Sequence, residues 1–279
     1  INFSEKIKYI ITLDSDTNLV LNSVFSMVGA MTHILNVPVI RRGKVISGYG
    51  IMQPKIGISL KDSVRSTFSR IYSGTPGTNL YSSATSDFYQ DIFGEGIFTG
   101  KGIYDLEIYD EILKDEIKEN EVLSHDLLEG NYLRCGLLTD TILLDKYPYK
   151  FTSYLLREHR WIRGDWQLLK WLKRDKEKIN LISKYKIYDN LRRSILPITQ
   201  FILFFISLIT ENAYLMIINL VSVFISIIYS IIDKVIFKRT QTFEIINAYK
   251  NFSIDFSGIE GEFIKVCLNF AFLPTYAYM

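Results

Sequence analysis

The stretch Lys8-Tyr9-Ile10-Ile11-Thr12-Leu13-Asp14-Ser15-Asp16 decides the fold class. Lys8 to Leu13 is an apolar, β-branched run that stops abruptly at an acid, the pattern of a buried strand in an α/β sheet. Asp14 and Asp16 then sit at the strand's carboxyl end, where open α/β sheets place their ligands. Two carboxylates this close can hold a divalent ion, or an ion and a ribose. Mg²⁺ prefers one or two carboxylates completed by phosphate oxygens, and such an ion neutralises a departing nucleoside diphosphate. A solvated acidic turn is the plainer alternative for the pair by itself.

Outward from this strand, further elements follow in α/β fashion. Helical spacing runs from Ser23 to Leu35 and is closed by Pro38. Gly48 to Lys55 is a second strand candidate, Ser59 to Tyr72 a helix, and Ser73 to Gly77 a loop. A surface helix is expected between Asp105 and Asn120, a strand from Cys135 to Leu144, and a helix from Thr152 to Arg174.

Three later segments carry chemistry. Gly94-Glu95-Gly96 to Gly100-Lys101-Gly102 lets backbone approach a ligand closely, because glycine has no side chain. It lacks the Ser or Thr that follows Lys in a phosphate-binding Walker loop, and a plain turn-rich connection is the alternative. Ser124-His125-Asp126 places an acid before an apolar pair. A sugar transfer with inversion needs one carboxylate to take the proton of the attacking hydroxyl, and Asp126 is the candidate. The alternative is a helix cap formed by Ser124 or Asp126. In Arg157-Glu158-His159-Arg160-Trp161, Arg157 and Arg160 offer guanidinium groups for phosphate, and Trp161 offers a ring face for a sugar. A juxtamembrane helix with Trp anchors fits the same spacing.

The net charge of +2 is too small to argue for nucleic acid, and no basic stripe with interleaved aromatics is present. Two distant cysteines point to a reduced, cytoplasmic part, and His33, His125 and His159 do not assemble a zinc set. The chain starts at Ile1 without a signal pattern and reads as a piece of something larger.

Ser194 to Thr210 and Tyr214 to Ile232 are two nearly uncharged apolar runs, each close to the roughly 20 residues of a spanning helix. Lys184, Lys186, Arg192 and Arg193 precede them, and Lys234, Lys238 and Arg239 follow. The positive-inside bias places both flanks in the cytoplasm. A multi-pass protein of the inner, cytoplasmic membrane with a cytoplasmic catalytic part is the expectation. Leu268 to Met279 reads as the start of an interfacial or spanning helix.

In their order the four segments resemble the processive, membrane-embedded inverting glycosyltransferases of the cellulose synthase and hyaluronan synthase kind. More closely, Phe93 to Gly96, Gly100 to Asp105, Leu123 to Leu127 and His159 to Gln167 resemble the glycosyltransferase region of cyclic β-1,2-glucan synthases. The resemblance implies an A-type, Rossmann-like nucleotide-diphospho-sugar transferase core lacking its first half, at residues 1–185. A transmembrane hairpin at 191–233 and a cytoplasmic or interfacial segment at 234–279 follow. It implies UDP-glucose as donor, a growing β-1,2-glucan as acceptor, membrane lipid around the hairpin, and Mg²⁺ or Mn²⁺ at Asp14 and Asp16. It further implies Asp126 as base, Arg157, Arg160 and Trp161 on the donor diphosphate, and Gly100, Lys101, Gly102 and Trp161 at the acceptor. His125 replaces the acid usual before the base in cellulose synthases, and Arg157 stands where Gln is usual. Another polysaccharide made by the same chemistry, or a membrane-anchored domain that binds glycan without catalysis, are the other readings.

Overall fold

The computed structural model describes residues 7–73, 86–114, 116–118, 120–174, 179–236 and 259–279. The loop expected at Ser73 to Gly77 lies, past Ser73, outside the described residues, as do Lys238 and Arg239 with the rest of 237–258. The chain is a mixed α/β fold.

Its main sheet has five strands, β1 (Tyr9–Thr12), β2 (Thr17–Leu19), β5 (Ile51–Ile58), β6 (Gly102–Asp105) and β7 (Cys135–Asp145), in the order β1-β6-β5-β7-β2. Only β5 and β7 pair in parallel; the other neighbours are antiparallel. A separate ribbon joins β3 (Val39–Arg41) to β4 (Lys44–Ser47). The sequence expects the Asp14 strand to be buried. Instead β1 is half-buried, because among the described strands only β6 pairs with it.

The central strand β5 is nearly all buried, and its side chains alternate between two cores as the pleat requires. Ile51 joins a large cluster with Leu128, Tyr132 and Leu133 of α6 (Asp126–Leu133), whereas Met52 joins Met27 and Met31 of α1 (Ser23–Thr32) on the other face. Pro54 sits within β5 although it can donate no ladder bond. The β5–β7 register jumps just there, from Pro54 opposite Leu138 to Lys55 opposite Ile142, so a bulge in β7 absorbs it.

Several expected elements are shorter or shifted, each for a local reason. The strand placed at Gly48 to Lys55 begins at Ile51, since Gly48 has φ +66° and turns tightly against the Val37 carbonyl. The helix expected over Ser23 to Leu35 ends at Thr32, where His33 turns extended and opens a 3₁₀ turn at Ile34–Asn36. The Ser59 to Tyr72 helix splits into α2 (Leu60–Ser63) and α3 (Thr67–Tyr72), because Ser66 is extended and exchanges cap hydrogen bonds with Ser69. After α4 (Ser86–Phe93) and β6, the surface helix is only α5 (Leu106–Leu113), started by Asp105 accepting from the Glu107 and Ile108 amides. The strand at Cys135 to Leu144 and the helix over Thr152 to Arg174 are both present, the latter as α7 (Phe151–Gln167) continued by a 3₁₀ turn at Leu168–Lys173.

The apolar carboxyl-terminal runs form two helices, α8 (Leu181–Ile209) and α9 (Ala213–Ile236). They cross as a hairpin: Gln200 donates to Ser222, Asn219 donates to the Gln200 carbonyl, and Ser207 donates to Met216. Among the described residues one helix, α8, is long and apolar enough to cross a membrane. The multi-pass topology expected from sequence is not supported: by length and composition only α8, among the described residues, qualifies as a candidate span. Helix α8 also starts earlier than the apolar run, at Leu181, and runs unbroken across the 185–191 join expected between domain and hairpin. Two further helices, Ile259–Ala271 and Leu273–Tyr278, close the described chain where one apolar helix was expected.

Two glycines test this register. A Cβ on Gly102 meets the Met52 carbonyl oxygen at 2.1 Å, whereas one on Gly29 of α1 meets nothing within 4 Å. Gly102→Ala is expected to cost more than ~4 kcal/mol, and Gly29→Ala to gain about 0.4–1 kcal/mol, both read by urea denaturation. A Gly102→Ala protein as stable as wild type contradicts the β5–β6 pairing.

Candidate active site

Strand pairing assembles the site. In the β1–β6 ladder Thr12 pairs with Gly102, and continuing that antiparallel register carries the chain from Leu13 and Asp14 past Lys101 and Gly100. The Asp14 carbonyl accepts from the Thr17 amide at 3.0 Å, closing the turn into β2. Strand β2 then lies on the end of β7 with Thr17 opposite Asp145, and the Thr17 hydroxyl donates to the Asp145 carboxylate at 2.6 Å. Lys101 is the centre of the result. Its ammonium is 2.5 Å from Asp145 Oδ2 and 3.1 Å from Asp14 Oδ2. Burial lowers the Lys101 pKa, but hydrogen bonds and charge from Asp145 and Asp14 more than offset this and hold it above the ordinary lysine value.

Asp126 enters from the other side as the first residue of α6. Neither Ser124 nor Asp126 caps this helix: the cap position is His125, which makes no side-chain cap bond. The Ser124 hydroxyl instead donates to Asp126 Oδ2 at 3.0 Å. Gly100 has φ +86°, and a Cβ there would meet the three carboxyl atoms of Asp126 at 3.0 to 3.1 Å. Glycine at this position thus serves both the left-handed backbone and the carboxylate beside it. Burial pushes the Asp126 pKa up, the Ser124 hydrogen bond lowers it, and the charges of Glu129 and Asp14 raise it again.

A second constellation backs Asp126. His125 Nδ1 is 2.7 Å from Glu129 Oε1, one helical turn on, and the Tyr109 hydroxyl donates to the same oxygen at 3.3 Å. Donor atoms of His125, Asp126 and Glu129 lie within 4.8 Å of one another, and their bonds to neighbours account for that clustering. The hydrogen bond to Glu129 raises the His125 pKa, outweighing burial, with the Glu129 and Asp126 charges adding to the rise.

Helix α7 presents the remaining expected residues. The Arg157 guanidinium packs over Trp161, Tyr147 and Tyr154 at 4.8, 5.2 and 5.8 Å from their ring centres, and its buried Nε has no hydrogen-bond partner. Arg160 is exposed, and Trp161 is 47% exposed. One turn on, Gly164 lies against Ser124 and Leu123, and Gln167 Oε1 accepts from the Leu123 amide at 2.6 Å. The helix is therefore packed against the segment that delivers Asp126.

The structure thus brings Asp14, Gly100, Lys101 and Asp126 together. Gly102 sits in β6, where packing against Met52 alone demands glycine. Asp16 lies in the turn, its carbonyl accepting from the Lys146 amide. Arg157, Arg160 and Trp161 stand on the neighbouring helix.

Two residues were missed from sequence. Asp145 carries the same signal as Asp14, an acid that ends an apolar strand. Gln53 is fully buried in β5, and its Oε1 accepts from the Thr99 amide and hydroxyl at 2.9 and 3.0 Å, fixing the loop before Gly100. Nothing in its local sequence marks it, since its partner is forty-six residues away.

The cyclic β-(1,2)-glucan synthase NdvB of Rhizobium meliloti (strain 1021) is 39% identical to this chain over 197 residues, which is 70% of the chain. The chain is related to the cyclic β-(1,2)-glucan synthases. It spans 7% of the length of this glucan synthase relative. No protein-family model matches the chain.

The His125–Glu129 bond gives the glucan synthase-related site a pH signature. A histidine whose folded pKa is raised contributes stability that is full below its unfolded value, roughly 6.5, and is lost as pH rises through the folded value. The stability advantage of wild type over His125→Gln is thus expected in full below roughly pH 6.5 and is lost as pH rises above that through the folded value. Thermal melts across that range check it; a pH-independent difference contradicts the bond.

Proposed function

We propose that this region is an inverting glycosyltransferase of glucan synthesis, with an A-type glycosyltransferase core, that transfers glucose from UDP-glucose to a growing β-1,2-glucan. The observation that carries the reading is the Asp126 carboxylate facing the bare backbone of Gly100, beside the Asp14–Lys101–Asp145 cluster, in a chain related to glucan synthases.

Asp126 is the base. It accepts the proton of an acceptor hydroxyl as that oxygen attacks the anomeric carbon from the face opposite the diphosphate. The new carbon–oxygen bond forms as the bond to the diphosphate oxygen breaks, which inverts the carbon. A carboxylate with a raised pKa holds a proton better than an ordinary one and is the stronger base for it. Gly100 lets the acceptor chain approach that carboxylate without a side chain between them. Gln53, through Thr99, keeps the loop still, so that positioning supplies part of the rate. Trp161 offers a half-exposed ring face for a sugar, and Arg160 an exposed guanidinium for phosphate oxygens. Arg157 is enclosed by aromatic rings, which favours a role in orienting Trp161 over direct contact with the diphosphate.

Mg²⁺ or Mn²⁺ would be held by Asp14 and Asp16. The Asp14 side chain is 57% exposed and, with Asp145, already holds one cation, the Lys101 ammonium. Hard oxygen donors that remain open to phosphate suit such an ion. When bound it would supply charge neutralisation to the leaving diphosphate. The exposed apolar residues of α8 and α9, among them Ile202, Phe205, Leu208, Ile217 and Ile218, support contact of the hairpin with a membrane, and the Lys and Arg that flank the apolar runs in the sequence favour the sheet domain on the cytoplasmic side of the inner membrane.

Asp126→Asn separates the base from its surroundings. Burial raises the Asp126 pKa, so its contribution to stability is full at low pH and is lost as pH rises through the folded value. At neutral pH the buried charge is a cost, and the Asn protein is expected to be at least as stable as wild type. Glucan elongation from UDP-glucose by the full-length protein should nevertheless fall by about 10²- to 10⁴-fold with UDP affinity kept. Wild-type elongation by a folded Asp126→Asn enzyme would show that the proton goes elsewhere.

A further inference from the structure

Helix α8 does not merely follow the sheet domain; its first turns are built into the loop that precedes Gly100. Lys186 is 2% exposed and is the one buried lysine among the described residues. Its ammonium is 2.9 Å from Glu95 Oε1 and donates to the Gly96 carbonyl, also at 2.9 Å. Tyr89 lies under it at 5.4 Å. Glu95 is 6% exposed and has Arg134 Nε at 4.0 Å as its second cation. The neighbouring Ile187 and Leu191 belong to the same core cluster as Ile97 and Phe98.

A buried ion pair is a poor device for stability alone. The desolvation of two charges offsets most of their attraction, and an apolar pair of similar volume serves as well or better. What the pair does supply is a specific, directional join between two segments about ninety residues apart. On one side is a loop whose next fixed points are Thr99 on Gln53 and Lys101 on Asp145. On the other is the only helix among the described residues long and apolar enough to span a membrane. The same α8 passes Pro197, which cannot donate to the Arg193 carbonyl, before its most apolar part.

We propose that Lys186 and Glu95 form a positioning link through which the membrane helix α8 sets the conformation of the Gly94–Gly102 loop, and with it the engagement of the glycan acceptor. The acceptor role of the loop rests on the function proposed above; the link itself does not. Neither residue touches the reacting atoms. Their effect is exerted through the backbone from Gly96 to Gly100 and is felt at the acceptor, while the Asp14–Lys101–Asp145 cluster keeps its own contacts.

The test uses full-length protein in membranes or detergent, with Lys186→Met, Glu95→Leu and the double variant. The singles leave one buried charge without its main partner and are expected to lose stability, whereas the double recovers it. If the pair only holds the fold together, the double variant also recovers wild-type kinetics. The positioning link predicts instead that the double variant, though stable, keeps an acceptor KM raised about tenfold or more, with affinity for UDP in Mn²⁺ within twofold of wild type. Hydrogen exchange provides a readout independent of any activity. Amides from Gly96 to Lys101 are expected to exchange at least tenfold faster in the double variant, with α1 and β5 unchanged. Loop exchange and acceptor KM both at wild-type values in a stable double variant would overturn the link. Faster loop exchange in a protein that transfers no sugar would keep the link and remove the proposed function instead.

Discussion

The antiparallel register of β1 on β6 is the constraint on which the rest of this structure depends. With Thr12 opposite Gly102, the acid that ends the first strand and the lysine that precedes the sixth must lie side by side. A slip of β1 by one residue would turn its side chains to the opposite face of the sheet, and β6 is itself held close against β5, where Gly102 packs on the Met52 carbonyl so tightly that no side chain fits. Two more contacts hang on the same fixed point. The turn from Asp14 into β2 brings Asp145 to Lys101, and the backbone just before Lys101 passes against Asp126.

The sheet end so formed is rich in carboxylates and poor in cations. Asp14, Asp145 and Asp126 converge with one ammonium among them, and burial together with mutual repulsion pushes the Asp126 proton affinity up. A carboxylate of raised proton affinity can accept a proton, and under the proposed function a cation would be added near the exposed Asp14. Under that proposal these two properties would serve the acceptor hydroxyl and the departing diphosphate. The relative is far longer than this chain, with the chain spanning 7% of it.

Much of this was legible in the sequence because it is local. An apolar strand ending in acid, glycines where backbone must come close, and an acid at the start of an apolar helix are all patterns of neighbours, and Asp14, Gly100, Lys101 and Asp126, which the structure places together, were named from them. Element ends were less legible where a single side chain decides them, as Ser66 does in splitting one helix into two and Asp105 in starting another. Partners that meet only through tertiary pairing left no trace. Gln53 finds Thr99, Lys186 finds Glu95, and Asp145 finds Lys101 across the sheet, and nothing in any one segment names the other. The apolar runs were read as beginning at Ser194, but Lys186, Ile187 and Leu191 are buried against the domain, so charge in the sequence concealed the first turns of α8.

The central claim is that Asp14, held by strand register beside Lys101, helps bind the diphosphate of a sugar nucleotide through a divalent ion. Calorimetric titration of UDP into the full-length protein, with and without Mn²⁺, measures this directly when wild type is compared with Asp14→Asn. The account predicts Mn²⁺-dependent UDP binding by wild type that weakens at least about tenfold, some 1.4 kcal/mol, in the variant. UDP binding that is indifferent both to Mn²⁺ and to Asp14 would contradict it.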